Sequence, residues 1–154
     1  MGDNLKPADR RKTMQAVKGK GTRPEKRLFA MLAGMGLSGW KKNDENVIGK
    51  PDITFANQRL AIFIDGCFWH GCPHCRRKLP GTNRGYWERK IKRNIALAKT
   101  HNRQLRRNGW TVIRIWEHEI ADTAKIRPKI LRALQSKESR GEQRHQKSKP
   151  PNSR

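Results

Sequence analysis

Acidic side chains are scarce in this sequence: 13 Asp and Glu stand against 36 Lys and Arg, a formal charge of +23 over 154 residues. A chain so charged repels copies of itself and attracts polyanions, of which nucleic acid is the commonest. The basic residues run through the whole length, so a solubilising tail does not account for them. Long apolar runs are missing as well. No stretch approaches the ~18 residues of a membrane span and the N-terminus has no signal-peptide core, so a cytoplasmic protein without membrane contact is expected. Cysteine is limited to three residues. An odd number in a reducing compartment is a poor basis for disulfides and a better one for metal ligation. Internal repeats are absent, and the length suits one domain with a real core but not two. From Glu138 onward there is no large apolar aliphatic or apolar aromatic residue, so residues 138–154 are expected to form a disordered basic tail. Residues 1–20, with Met14 and Val17 as the main apolar side chains, read as a basic arm or a loosely held helix. That leaves residues 21–137 to carry the fold.

Within that span, Thr22-Arg23-Pro24-Glu25 has the form of a helix start: a threonine cap, proline in the first turn and glutamate three after the cap. Leu28, Met31, Leu32 and Met35 follow at the spacing of one apolar helical face, and Gly34 and Gly36 close it. Residues 38–50 look irregular, with Trp40 and Val47-Ile48 as anchors. Asp52 to Phe55 predicts a short strand, and Leu60 to Ile64 a buried β-branched one that can pair with it as a hairpin. Arg84 to Asn108 is helical in pattern, with Ile91, Ile95, Ala98 and Leu105 inward and Gly109 as the stop. Trp110 to Trp116 is a second buried strand. Strand, long helix and strand imply a crossover and parallel pairing in a mixed sheet. A last helix is expected over Arg127 to Lys137, with Pro128 near its start. The predicted fold is one α/β domain, a mixed central sheet flanked by helices.

The chemistry is concentrated just after the central strand. Asp65-Gly66 ends it, and residues 67–75 then hold three cysteines, two histidines and the pair Phe68-Trp69. Cys67, Cys72 and Cys75 supply three thiolates at loop spacing, and a structural zinc wants a fourth ligand. His118 is favoured, because adjacent parallel strands bring their C-terminal ends together; His74, between two of the ligands, is poorly directed. The spacing also matches the first three cysteines of an iron–sulfur site, but no fourth cysteine exists. Asp52, after a proline, and Asp65, at the end of the next strand, have the spacing of the PD-(D/E)xK nuclease superfamily. Two such carboxylates can hold Mg²⁺. The lysine of that pattern is replaced by Cys67, so another group must take the proton of an attacking water. His70 is chemically suited to this, with a fourth zinc ligand as its alternative role.

The block Phe63-Ile64-Asp65-Gly66-Cys67-Phe68-Trp69-His70-Gly71-Cys72-Pro73-His74-Cys75 resembles the very short patch repair (Vsr) endonucleases. The likeness extends from Arg11 to Ile120 through Lys12-Thr13-Met14, Glu25-Lys26-Arg27-Leu28, Pro51-Asp52, Tyr86-Trp87 and Ile115-Trp116-Glu117. It implies a restriction-endonuclease-like fold with a zinc-braced loop. The implied activity is Mg²⁺-dependent nicking of DNA beside the T of a T·G mismatch, the repair of deaminated 5-methylcytosine. By the resemblance, Asp52 is the principal Mg²⁺ ligand, His70 the general base, and the Ile64 carbonyl a further ligand. Asp65 is then either a direct ligand or a neighbour of one. Glu25 is either an acidic helper near the metal or simply the helix cap. His118 stands where some members carry a fourth zinc cysteine. Phe68, Trp69 and Trp87 are the expected wedge into the duplex, with Met14 entering from the opposite groove, although all three aromatics could instead be core, as Trp110 and Trp116 are expected to be. A monomer at the nucleoid, linked in function to a cytosine-5 DNA methyltransferase, completes the expectation. The rival readings are a restriction-like nuclease on matched DNA and a non-catalytic zinc-containing nucleic-acid-binding protein.

Overall fold

The computed structural model describes residues 21–147. The basic arm with Met14, and the chain beyond Lys147, lie outside the described residues. Helix α1 spans Arg23–Gly34, with Thr22 as its N-cap and proline in the first turn. Leu28 and Leu32, one turn apart, are fully buried; each contributes ~1.5–3 kcal/mol relative to exposure. Strands β1 (Trp40–Lys42), β2 (Ile53–Phe55), β3 (Leu60–Asp65) and β4 (Thr111–Trp116) form one open sheet in the order β1-β2-β3-β4. β2 and β3 make the expected antiparallel hairpin, Ile53 opposite Ile62 and Phe55 opposite Leu60. The crossover between β3 and β4 is helix α2, Arg84–Arg107, and the two strands pair in parallel from Leu60 with Thr111 to Asp65 with Trp116. A 3-10 turn, Glu117–Glu119, leads to helix α3, Thr123–Lys147.

Strand alternation divides the sheet into two unlike faces. Ile53, Phe55, Leu60, Ile62, Ile113 and Ile115 point to the side covered by α1 and α3, where Leu28, Leu32, Ile126, Ile130 and Leu134 complete the main core. The opposite face packs Ala61 and Phe63 against Leu105 of α2, with Val47, Trp110 and Val112 around them. By the same alternation Asp65 and Arg114 belong to the α2 face. The cleft that holds Asp52, Asp65 and His70 lies on this second side.

Two expectations are corrected. Residues 38–50 are not wholly irregular, since β1 pairs antiparallel with β2, Trp40 opposite Phe55. A three-residue edge strand carrying two lysines is held by backbone bonds to its neighbour and shows little apolar pattern. The last helix begins at Thr123 rather than Arg127 and runs past Lys137 to Lys147, into the segment expected to be disordered. Pro128 therefore sits inside the helix, where it removes one backbone hydrogen bond, and is not a start signal. No described helix is long and apolar enough to cross a membrane.

Candidate active site and metal centre

The parallel register builds the candidate metal centre. Asp65 pairs with Trp116, so the residues two further on, Cys67 and His118, leave the sheet side by side. The loop after Cys67 is turned back by Cys72 N–H donating to Cys67 O at 2.9 Å and Arg76 N–H donating to Cys72 O at 3.0 Å. His118 Nδ1 then lies 3.2 Å from Cys67 Sγ, 3.7 Å from Cys72 Sγ and 3.4 Å from Cys75 Sγ. All four ligand atoms lie within 4.8 Å of one another. Metal–sulfur bonds of ~2.3 Å and a metal–nitrogen bond of ~2.0 Å at tetrahedral angles place N and S about 3.5 Å apart. The four side chains therefore fit a tetrahedral ion of zinc's size. Burial pushes the Cys67 thiol up to about 11; a bound cation would reverse this by taking the thiolate. His74 is outside the ligand set, its ring stacked on that of His118 at 5.0 Å. Helix α2 braces the loop from behind. Gly71 has φ +60°, and a Cβ there would meet Ile91 and Ile95 at 3.2 and 3.3 Å, so only glycine fits without displacement.

The carboxylates converge beside this loop. Asp52, just before β2, accepts the Ile64 N–H on Oδ2 at 2.7 Å, which ties it across the hairpin to the end of β3. Burial raises its pKa to about 6 from 3.8; the Ile64 hydrogen bond opposes this, and the charges of Glu25 and Asp65 add to it. Glu25 is itself buried, 3% exposed. Its Oε2 accepts the Gly21 N–H at 2.7 Å while Thr22 Oγ1 accepts the Glu25 N–H at 3.5 Å, so it caps α1 and also adds its charge to that of Asp52.

His70 is half-buried on the loop, its N–H donating to Gly66 O at 3.1 Å. Its Nε2 lies 3.8 Å from Asp65 Oδ1, adjacent but beyond a hydrogen bond. Burial lowers its pKa below 6.5, Asp65 raises it and Arg114 lowers it again. The ring is thus biased toward the neutral form that can accept a proton. Asp52, Ile64, Asp65 and His70 line one cleft of about 320 Å³.

That cleft contains residues to which the sequence alone did not point: Lys50, Asn94, His101 and Arg114. Arg114 Nη1 donates to Asp65 Oδ1 at 2.6 Å, and its Nε donates to Asn102 Oδ1 at 2.9 Å. The available signal was a lone arginine in the middle of an apolar strand, between Ile113 and Ile115. Gly49 closes the cleft's edge against α2. At φ +78°, its Cβ would come within 2.9 Å of His101 Nδ1.

The aromatics form a connected cluster at the loop's outer side. Phe68 meets Trp69 and Trp87 edge-on at 5.2 and 5.7 Å, and Tyr86 meets Trp87 at 5.2 Å. Trp87 is 7% exposed and forms the base of the cluster; Tyr86 is 47% exposed, and Phe68 and Trp69 are half-buried. Asn94 Nδ2–H donates to Trp69 O at 3.0 Å, and Lys90 Nζ stands 5.0 Å over the Trp69 ring. Trp110 and Trp116, expected in the core, are half-buried beside it.

The family model described as "DNA mismatch endonuclease Vsr" matches residues 2–77. The "Type II nicking enzyme V.NaeI" of Lentzea aerocolonigenes is 43% identical over 117 residues, 73% of this chain and 69% of that protein. The "Type II nicking enzyme V.NmeDIP" of Neisseria meningitidis serogroup C is 37% identical over 88% of this chain and 93% of its own length. The "DNA mismatch endonuclease Vsr" of Escherichia coli (strain K12) is 34% identical over 85% of this chain and 83% of its own length. With these relatives, the zinc-sized Cys₃His centre and the carboxylate cleft on a mixed four-stranded sheet, the chain belongs to the Vsr family of DNA mismatch endonucleases.

Proposed function

We propose that this protein nicks one strand of duplex DNA beside the T of a T·G mismatch, in the repair of deaminated 5-methylcytosine. The observation that carries the reading is one of placement. Asp52, Asp65 and His70 share a cleft, and His70 follows directly on Phe68-Trp69 in a loop held by the Cys₃His group. A side chain that enters the base stack and a base that accepts a proton are therefore mounted on one rigid support. The names of the relatives, nicking enzymes and a mismatch endonuclease, agree with cleavage of a single strand at a mispair.

Asp52 and the Ile64 carbonyl would hold Mg²⁺, with zinc on Cys67, Cys72, Cys75 and His118. Mg²⁺ when bound supplies charge stabilisation at the phosphodiester and lowers the pKa of an attacking water. His70, neutral because it is buried, takes the proton of that water. Glu25 holds α1 in place and adds negative charge beside Asp52. Phe68 and Trp69 enter the stack at the mispair, with Trp87 beneath them as their support and Met14 approaching from the other groove. Unstacking costs a few kcal/mol per step, and a mismatched pair has already lost part of that energy, so insertion favours T·G over matched sites. The +23 charge supplies sequence-independent attraction to phosphates. The protein works as a monomer in the bacterial cytoplasm, at the nucleoid, alongside a cytosine-5 DNA methyltransferase.

The test is a strand-resolved cleavage assay with Mg²⁺ on end-labelled duplexes that differ only in T·G or T·A. A single nick next to the mismatched T is expected. Equal cutting of both duplexes would identify a restriction-like nuclease, and binding without any cutting a non-catalytic zinc protein.

A further inference from the structure

Asp52 and Asp65 look equivalent in sequence, yet the structure treats them differently. Asp52 takes the Ile64 N–H at 2.7 Å and its own backbone N–H, stands near the negative charges of Glu25 and Asp65, and has no ion pair among the described residues. Asp65 faces a guanidinium. The parallel register sets Arg114 beside Phe63, and alternation along β4 turns it to the α2 side, where its guanidinium carbon lies 4.3 Å over the Phe63 ring. From there Nη1 reaches Asp65 Oδ1 at 2.6 Å, with side-chain exposures of 20% and 9%. The opposite edge of the guanidinium is fixed by Asn102 Oδ1 at 2.9 Å. Held at both edges and stacked below, the planar group has little freedom, and the N–H···O bond is at the short end for charge-assisted pairs. The oxygen it grips is also the one that stands 3.8 Å from His70 Nε2.

We propose that Arg114 is a positioning residue that claims Asp65, so that Asp65 serves as a fixed, ion-paired neighbour of His70 and not as a ligand of the divalent metal. The inference rests on the metal site proposed above, and it leaves Asp52 with the Ile64 carbonyl as the metal's protein ligands. A second cation is poorly accommodated at a carboxylate already paired with one, whereas Asp52, which has no ion pair among the described residues, gains from it. Arg114 and Asn102 then act on His70 at one remove, by setting where the Asp65 oxygen stands. Loss of such outer partners commonly reduces activity 10–100-fold.

The experiment measures Mn²⁺ binding by electron paramagnetic resonance on the zinc-loaded protein, alongside single-turnover nicking. Asp52→Asn should weaken Mn²⁺ binding at least about 100-fold, and Asp65→Asn by no more than about threefold. Arg114→Gln should tighten it, since the freed carboxylate becomes available. In nicking, Arg114→Gln should lower kcat about 10–100-fold with KM little changed, and Arg114→Lys should recover part of that loss by restoring the pair with Asp65. The double change Asp65→Asn with Arg114→Gln removes both charges, and its melting temperature shows whether any single variant fails merely by unfolding around an unpaired charge. Equal loss of Mn²⁺ in Asp65→Asn and Asp52→Asn, in folded proteins, overturns the inference and leaves the metal site standing. Undiminished Mn²⁺ binding in Asp52→Asn overturns the site itself and the inference with it.

Discussion

Asp52→Asn removes a carboxylate that burial disfavours, and the variant should be more stable than the native protein while losing its activity. The folded-state pKa of Asp52 is about 6 against an ordinary 3.8, with burial as the main cause. The native state thus binds the proton more tightly than the unfolded chain does, so ionisation works against folding. The penalty is fully present above pH 6 and fades as pH falls toward 3.8. At ~1.36 kcal/mol per pH unit, that gap amounts to roughly 3 kcal/mol. Asparagine carries no charge and keeps an acceptor for the Ile64 N–H, but its buried amide needs a partner of its own, so a gain of about 1–3 kcal/mol is expected. At ~2–4 °C per kcal/mol for a domain of this size, the melting temperature should rise by roughly 2–12 °C near pH 8. About half of the gain should have gone near pH 5. The assay is calorimetric melting of zinc-loaded protein without Mg²⁺ at both pH values. Added Mg²⁺ should then raise the native protein alone and narrow the difference. A variant that melts no higher than the native protein near pH 8 would refute the reasoning, because Asp52 would then carry no electrostatic strain for a metal to relieve.

Metal analysis should find about one zinc per chain. Cys72→Ser and His118→Ala should each lose it, whereas His70→Ala should keep it and lose nicking; zinc loss in His70→Ala would make His70 a ligand and not the base. The aromatic cluster divides by burial. Trp69→Ala should lower nicking of T·G duplex far more than of matched duplex with little change in melting, while Trp87→Ala, at the buried base, should cost about 3–5 kcal/mol of stability. An unchanged mismatch preference in Trp69→Ala would remove the wedge from the mechanism. Deleting residues 148–154, which removes Lys149 and Arg154, should weaken binding to matched and mismatched DNA by similar factors. The slope of log affinity against log salt should shrink by ~0.9 for each phosphate that the shortened chain no longer neutralises. A loss confined to one sequence would mean that the segment reads bases.

Much of the fold was legible because local chemistry and tertiary placement agree. The Thr22 cap, the β-branched run Leu60 to Ile64 and the strand–helix–strand spacing each describe the element found. Parallel pairing of β3 with β4 is also why His118 could be named as the fourth ligand from a position 43 residues after Cys75. What the sequence conceals depends on neighbours it does not display. Strand β1 is lysine-rich and exists by pairing with β2. Pro128 reads as a helix start, but the helix begins a turn earlier and tolerates it. Arg114 escapes notice because an apolar strand reads as uniformly buried. Counting alternation from Ile113 and Ile115 turns Arg114 toward Phe63 and Asp65. The difference between Asp52 and Asp65 cannot be read in the same way, since it depends on which carboxylate the guanidinium reaches.

The most direct measurement is a competition in one tube with Mg²⁺, using two duplexes of identical sequence, one T·G and one T·A, each labelled on the T strand with a different dye. The ratio of the two nicking rates is the ratio of kcat/KM, and so reports differential transition-state binding without regard to total affinity. A ratio of at least about 100 in favour of T·G, with one product end beside the T and none from Asp52→Asn, is expected. A ratio near one, or cutting of both strands, would contradict mismatch nicking as the function of this site.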